Sequence, residues 1–197
     1  MKGMKGILLI CICVFCMTSC GRDDTYKLAK KIYDYDMKQS GYEEALAMAQ
    51  KGNYDANCKD CFKGVDTSNI SLFAYACKVD EEIAKAIYEN GANIESANDE
   101  FYQTPLLATV YGNRNHPEMI YWLIDQGADV NAVDYNQCSV FHYLIYWDDN
   151  EETQELIQYF KDNCDMELLE EQTKDARYCD WDALWDEDGN LIFYQNK

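Results

Sequence analysis

The run Thr104-Pro105-Leu106-Leu107-Ala108-Thr109-Val110, followed by Met119-Ile120-Tyr121-Trp122-Leu123-Ile124-Asp125-Gln126-Gly127-Ala128-Asp129-Val130-Asn131, decides the fold. Thr104 can cap a helix by accepting a backbone N–H bond, and Pro105 fits the first helical position, where no donor is needed. His116-Pro117 repeats the start signal, so both prolines of the chain stand at helix starts. Met119, Ile120, Leu123 and Ile124 recur at i, i+1, i+4 and i+5, an apolar stripe that needs a neighbouring helix pair to cover it. Gly127 supplies the left-handed conformation that ends such a helix.

Two further copies flank this unit. The first runs Ile70-Ser71-Leu72-Phe73-Ala74-Tyr75-Ala76 and on to Ile83-Ala84-Lys85-Ala86-Ile87-Tyr88-Glu89-Asn90-Gly91-Ala92-Asn93-Ile94. The third runs Ser139-Val140-Phe141-His142-Tyr143-Leu144-Ile145 and on to Leu156-Ile157-Gln158-Tyr159-Phe160-Lys161-Asp162-Asn163-Cys164-Asp165-Met166. Gly91 and Gly127 lie 36 residues apart, and Cys164 takes the corresponding place 37 residues later. The third unit also carries extra residues around Asp148 to Thr153, which predicts a longer loop. A helix pair of this kind cannot bury its own apolar face, so stability must come from stacking, with capping elements at the ends.

These units resemble the ankyrin repeat, whose pattern runs T-P-L-H-x-A, then an apolar helix, then G-A-D-V-N. The resemblance covers residues 65–167 and implies a mainly all-α solenoid of stacked helix-turn-helix units. It also implies a concave protein-binding surface built from the finger turns and the ends of the first helices. By alignment, the fingers hold Asp99, Glu100, Phe101, Tyr102, Tyr135 and Asn136, and the helix ends hold Tyr111, Tyr146 and Trp147. The chain has 16 tyrosines, and aromatics rimmed by acids are the composition of a protein-binding face. Tyr75, Tyr143 and Tyr159 are expected to pack between units instead, and His142 stands where the family uses a histidine ring for hydrogen bonds between repeats.

The flanks supply the caps. Thr25 to Gln39 and Gly41 to Lys51 read as two short helices, within a segment 20–64 that is either a degenerate repeat or a tetratricopeptide-like pair. In the C-terminal cap, 168–197, the Asp188-Gly189 turn between apolar runs is a candidate β-hairpin. Asp186-Glu187-Asp188-Gly189 only faintly resembles a calcium loop, because Leu184 stands where an acid is needed; it reads as turn chemistry.

Composition narrows the function. Acidic residues outnumber basic ones 36 to 17, for a formal charge of −19, which excludes a nucleic-acid binder or a polybasic membrane sensor and suits a basic protein partner. Only two histidines are present, and no nucleophile elbow, phosphate loop or zinc-protease helix motif appears, so neither an enzyme nor a cofactor or metal is expected. Cys58-Lys59-Asp60-Cys61 is a C-x-x-C without the preceding strand of a thioredoxin-type site or the second pair of a zinc site. A structural disulfide is the leading reading there, with a redox helper as the alternative; Cys164 and Cys179 are a second candidate pair by proximity in sequence.

At the N-terminus, Lys2 and Lys5 precede the apolar run Ile7 to Cys16, and Met17-Thr18-Ser19-Cys20 follows. The apolar run is too short to span a bilayer and suits a secretory signal. The segment 1–19 resembles a bacterial lipoprotein signal peptide, with Cys20 the lipidated residue; an ordinary signal peptide or a retained anchor is the competing reading. By that resemblance Gly21 points to the outer membrane, with the folded part facing the periplasm. The expectation is a tethered, non-enzymatic binding module in a bacterial envelope, one version being an immunity protein that masks a toxin; a purely structural envelope protein is the third class.

Overall fold

The computed structural model describes residues 22–62, 70–97, 102–112 and 117–194. The signal segment, Cys20, the finger residues Asp99, Glu100 and Phe101, and His116 lie outside the described residues. A helix α1 runs through 22–38, followed by α2 (Tyr42–Lys51), α3 (Leu72–Val79), α4 (Glu81–Glu89), α5 (Pro105–Gly112) and α6 (Glu118–Asp125). Then come α7 (Val140–Leu144), α8 (Glu151–Asn163), α9 (Met166–Thr173) and a short 3-10 turn at Trp181–Leu184.

The helices start where the capping residues predict. Thr104 Oγ1 accepts the Leu107 amide at 3.3 Å and Ser71 Oγ the Ala74 amide at 3.1 Å. Asp80 caps α4 by accepting from Glu82 and Ile83, and Asn150 caps α8 by accepting from Thr153 at 2.9 Å. Each cap satisfies donors that the first helical turn leaves unpaired.

The pairs α3/α4, α5/α6 and α7/α8 stack as two layers. In the first-helix layer α3 packs on α5 and α5 on α7, while Tyr75 of α3 donates to Asp36 of α1 at 2.6 Å. In the second layer α2 packs on α4, Tyr88 of α4 meets Trp122 of α6 edge-on at 5.1 Å, and Tyr121 of α6 meets Tyr159 of α8 at 5.1 Å. Leu72, Phe73, Leu106, Leu107, Val140 and Phe141 from the first layer are buried against Ile83, Ile87, Ile120, Leu123, Leu156 and Phe160 from the second. Neither layer would be stable alone, because its apolar side is the other layer's cover.

Gly91 and Gly127 end α4 and α6 in the left-handed region, at φ 93° and 91°, and Gly52 ends α2 in the same way at φ 72°. The third unit leaves its helix differently. Cys164 is extended at φ −84°, and Asp165 at once caps α9 by accepting the Leu168 amide at 3.0 Å. A side chain at position 164 is compatible with this exit, which needs no left-handed residue.

The C-terminal hairpin expected from Asp188-Gly189 is reduced to a single antiparallel bridge between Trp185 and Leu191. The turn itself forms: Asp186 Oδ1 accepts the amides of Asp188 at 3.0 Å and Asn190 at 2.8 Å, so this carboxylate is turn chemistry. Strands do not grow from it because the chain's next donors go elsewhere, Ile192 to the Leu184 carbonyl and Tyr194 to that of Ile145. The segment works as a lid on the last unit. Trp181 and Trp185 pack edge-on against Phe141 at 5.9 Å and 5.2 Å.

Candidate functional site

The loops between helix pairs stack in register. Asn57 Oδ1 accepts the Asn93 amide, Glu95 Oε1 that of Asp129, and Asn131 Oδ1 that of Asp165, each at 2.7 Å. Each accepting residue is itself fixed by an Asx turn, from Asp55, Asn93 and Asp129 respectively. This ladder holds the bases of the fingers. Burial pushes the Glu95 carboxyl above its ordinary value, partly offset by the Asp129 amide bonded to it. A polar cleft of about 360 Å³ lies beside the first rung, bordered by Asn57, Lys59, Asn93, Glu95 and Tyr102.

The aromatics expected to bind a partner divide into two groups. Tyr102, Tyr111, Tyr135 and Tyr146 are 56%, 53%, 64% and 40% exposed, high values for such large rings. Tyr111 is held edge-on by Tyr143 at 5.4 Å, and Tyr143 is in turn anchored by donating to Asp134 at 2.6 Å. The exception is Trp147, expected on the binding wall but only 5% exposed. Its indole N–H donates to the Val110 carbonyl at 2.9 Å, so it ties the third unit to the second. Asn136 is half-buried and its carbonyl accepts the Arg177 amide at 3.0 Å, so the C-terminal segment covers part of it.

Two contributors to this face were missed from the sequence. Tyr194 packs at a tilt against Tyr146, ring centroids 5.5 Å apart, and Tyr178 is exposed beside the third finger. Both arrive from a segment with no repeat signal, so no alignment could place them. Lys78, at the end of α3, lies against Gly112 at the end of α5, where any Cβ would collide with its aliphatic stem.

A family model of ankyrin repeats, in three copies, matches residues 72–170, half of the chain. The chain belongs to the ankyrin-repeat family. No curated protein matches it. Ankyrin repeats are protein–protein interaction modules, so the described stack is a helical solenoid whose partner is a protein.

Within this ankyrin stack His142 is a joint. Its Nδ1 accepts the Ser139 amide at 3.2 Å and pairs with the Ser139 hydroxyl at 3.0 Å, while Nε2–H donates to the Cys179 carbonyl at 3.0 Å. The ring thus links the third repeat to the C-terminal cap. Burial pulls its pKa down to about 4, against the Cys179 carbonyl and the Asp134 carboxylate, which favour the charged ring.

The six cysteines among the described residues, Cys58, Cys61, Cys77, Cys138, Cys164 and Cys179, are free thiols in this structure. Cys58 and Cys61 are neighbours in the loop after α2: the Cys61 hydrogen bond holds the half-buried Cys58 below the usual thiol range, and the same pairing together with burial raises Cys61. Cys164, expected to face Cys179, donates instead to the Val130 carbonyl at 3.4 Å. Among the described residues no group of His, Cys, Asp and Glu is arranged to hold a metal, and no helix is long and apolar enough to cross a membrane.

Proposed function

We propose that this ankyrin stack is a non-enzymatic binding module that takes a basic protein partner along the concave wall formed by the fingers and first-helix ends. The observation that carries the proposal is the row of exposed tyrosines, Tyr102, Tyr111, Tyr135 and Tyr146, on a chain with 36 acidic and 17 basic residues. Rigid rings give contact area at little entropic cost, and a negative field speeds encounter with a positive partner and fixes its register. The N-terminal pair α1/α2, which ends in a left-handed glycine like the first two matched repeats, would serve as the edge unit of the stack.

The same proposal places the module in a bacterial envelope, lipid-anchored through Cys20 at the outer membrane and facing the periplasm, with toxin immunity as its specific task. What supports this is the lysine-flanked apolar run ending in Ser19-Cys20. Affinity capture from envelope extracts tests the binding face, with Phe101, Tyr102 and Tyr135 replaced by Ala as the control. A basic partner retained by the native chain and lost by the variant is the expected result. Capture that is unchanged by the substitutions removes the finger face, and the absence of any protection phenotype on co-expression with the captured protein removes the immunity role.

The alternative of a thiol–disulfide helper is favoured by the asymmetry between Cys58 and Cys61. A Cys58→Ser variant that retains partner binding and loses an alkylation-sensitive activity would establish it in place of the purely structural pair.

A further inference from the structure

Cys138 stands at the base of the third finger and Cys179 in the segment that covers it. The two are 41 residues apart, the same separation as Asn136 and Arg177. Arg177 donates its amide to the Asn136 carbonyl at 3.0 Å, and its guanidinium reaches Asn136 Oδ1 at 3.5 Å. Beyond the cysteines, His142 donates to the Cys179 carbonyl at 3.0 Å while its ring sits on Ser139, the residue after Cys138. These contacts, one two residues before each cysteine and one just beyond them, draw the segments that carry Cys138 and Cys179 together. The Tyr178 amide reaches the Cys138 sulfur, and the Cys179 sulfur lies close enough to help raise the Cys138 thiol. A disulfide spans a Cα separation of about 4.4–6.8 Å, so it needs two segments held together by contacts on both sides of the pair, as these are. The other thiols have different surroundings: Cys77 is buried within α3, and Cys164 is turned to Val130.

We propose that Cys138 and Cys179 form a disulfide that fastens the C-terminal cap to the third finger. Cys179, the more open of the two, loses its proton and attacks a disulfide-bearing oxidant, expelling one of the oxidant's sulfurs as a thiolate. Cys138 then loses its proton and displaces the second sulfur from the mixed disulfide. The two cysteines are oxidised by two electrons, and the oxidant leaves as two thiols. The bond joins the finger that carries Tyr135 to the segment that carries Tyr178, so it fixes the spacing of two exposed rings on the binding face. Oxidation state thereby sets how rigid that end of the wall is.

The test uses the full chain, reduced and then incubated with oxidised glutathione, which makes it independent of where the protein resides. Free thiols are alkylated under denaturing conditions without reductant, and the digest is mapped by mass spectrometry. The expected result is one linked pair of peptides containing Cys138 and Cys179, lighter by two hydrogens than the two thiol peptides, and lost on reduction. Alkylation of both residues, or a link from either to another cysteine, overturns the proposal. A second measurement compares the drop in Tm caused by reductant in the native chain and in Cys179→Ser. A drop larger by several degrees in the native chain supports the staple, and equal drops overturn it.

Discussion

The Asn90 side chain occupies the space into which a Cβ on Gly52 would project, with its Oδ1 in the way. From there Asn90 Nδ2 donates to the Ala49 carbonyl at 3.1 Å and the Ala86 carbonyl at 2.8 Å, closing the C-terminal ends of α2 and α4 together. Gly52→Ala must therefore strain a left-handed residue and also dislodge this bridge. The backbone strain is about 1–2 kcal/mol, and each lost hydrogen bond adds about 1 kcal/mol. Gly127→Ala, at φ 91° with nothing within 4 Å, should show the backbone part alone. Urea titration of both variants checks the difference; equal losses would mean that Asn90 does not bridge the helices.

The finger ladder makes a local claim. Asn131→Ala removes the acceptor for the Asp165 amide, which caps α9 through its own side chain. A loss of about 1 kcal/mol is expected, as for one partly exposed hydrogen bond. Amide exchange should speed up at Asp165 with little change at Asn93, whose bond is to Asn57 in another loop. Uniform acceleration across the stack would indicate global destabilisation instead.

Tyr135 and Trp147 should separate binding from stability. Trp147→Ala opens a cavity and leaves the Val110 carbonyl without its indole donor, so it should cost about 3–5 kcal/mol. Tyr135→Ala removes a ring that is 64% exposed and should change stability by less than about 0.5 kcal/mol. In the affinity measurement the order reverses: Tyr135→Ala should weaken partner binding by about tenfold, or about 1.4 kcal/mol. Thermal melts and a titration with the captured partner check both halves.

The repeats were legible because their signals are local. Thr104, Pro105 and Gly127 act within a few residues of themselves, so periodicity placed α5, α6 and their turn correctly. Trp147 was misplaced because alignment gives position along a repeat but not the direction of a side chain after α7, a helix of only 5 residues. A short helix followed by a turn lets the chain rotate, and the indole turned inward to find a carbonyl. The hairpin expected at Asp188-Gly189 stops at one bridge for a related reason. A turn sequence predicts a reversal, whereas strand growth depends on which distant carbonyls are free, here those of Leu184 and Ile145. The contacts of Tyr178 and Tyr194 likewise depend on tertiary docking that no repeat pattern encodes.

His142 gives the stack a pH dependence with a definite sign. Its ring is 3% exposed and has a pKa of about 4, against an ordinary value of 6.5. The unfolded chain takes up a proton as pH falls through the ordinary value, while the native ring stays neutral, so the unfolded state binds more protons across that window. The ring's contribution is therefore complete above the ordinary value and declines as pH drops toward the native one. At about 1.36 kcal/mol per unit the whole effect approaches about 3 kcal/mol. Asp134 opposes it by favouring the charged ring, and Tyr143 partly quenches that carboxylate by donating to it. His142→Gln keeps an acceptor at the third position of α7, so the capping geometry can survive while the titration is lost. Carboxylates titrate alike in both proteins, and the stability difference between them isolates the ring. That difference should shrink between pH 7 and pH 4 as the native protein loses its advantage; a difference constant over the window would mean that the folded ring titrates at its ordinary value, as it does in the unfolded chain.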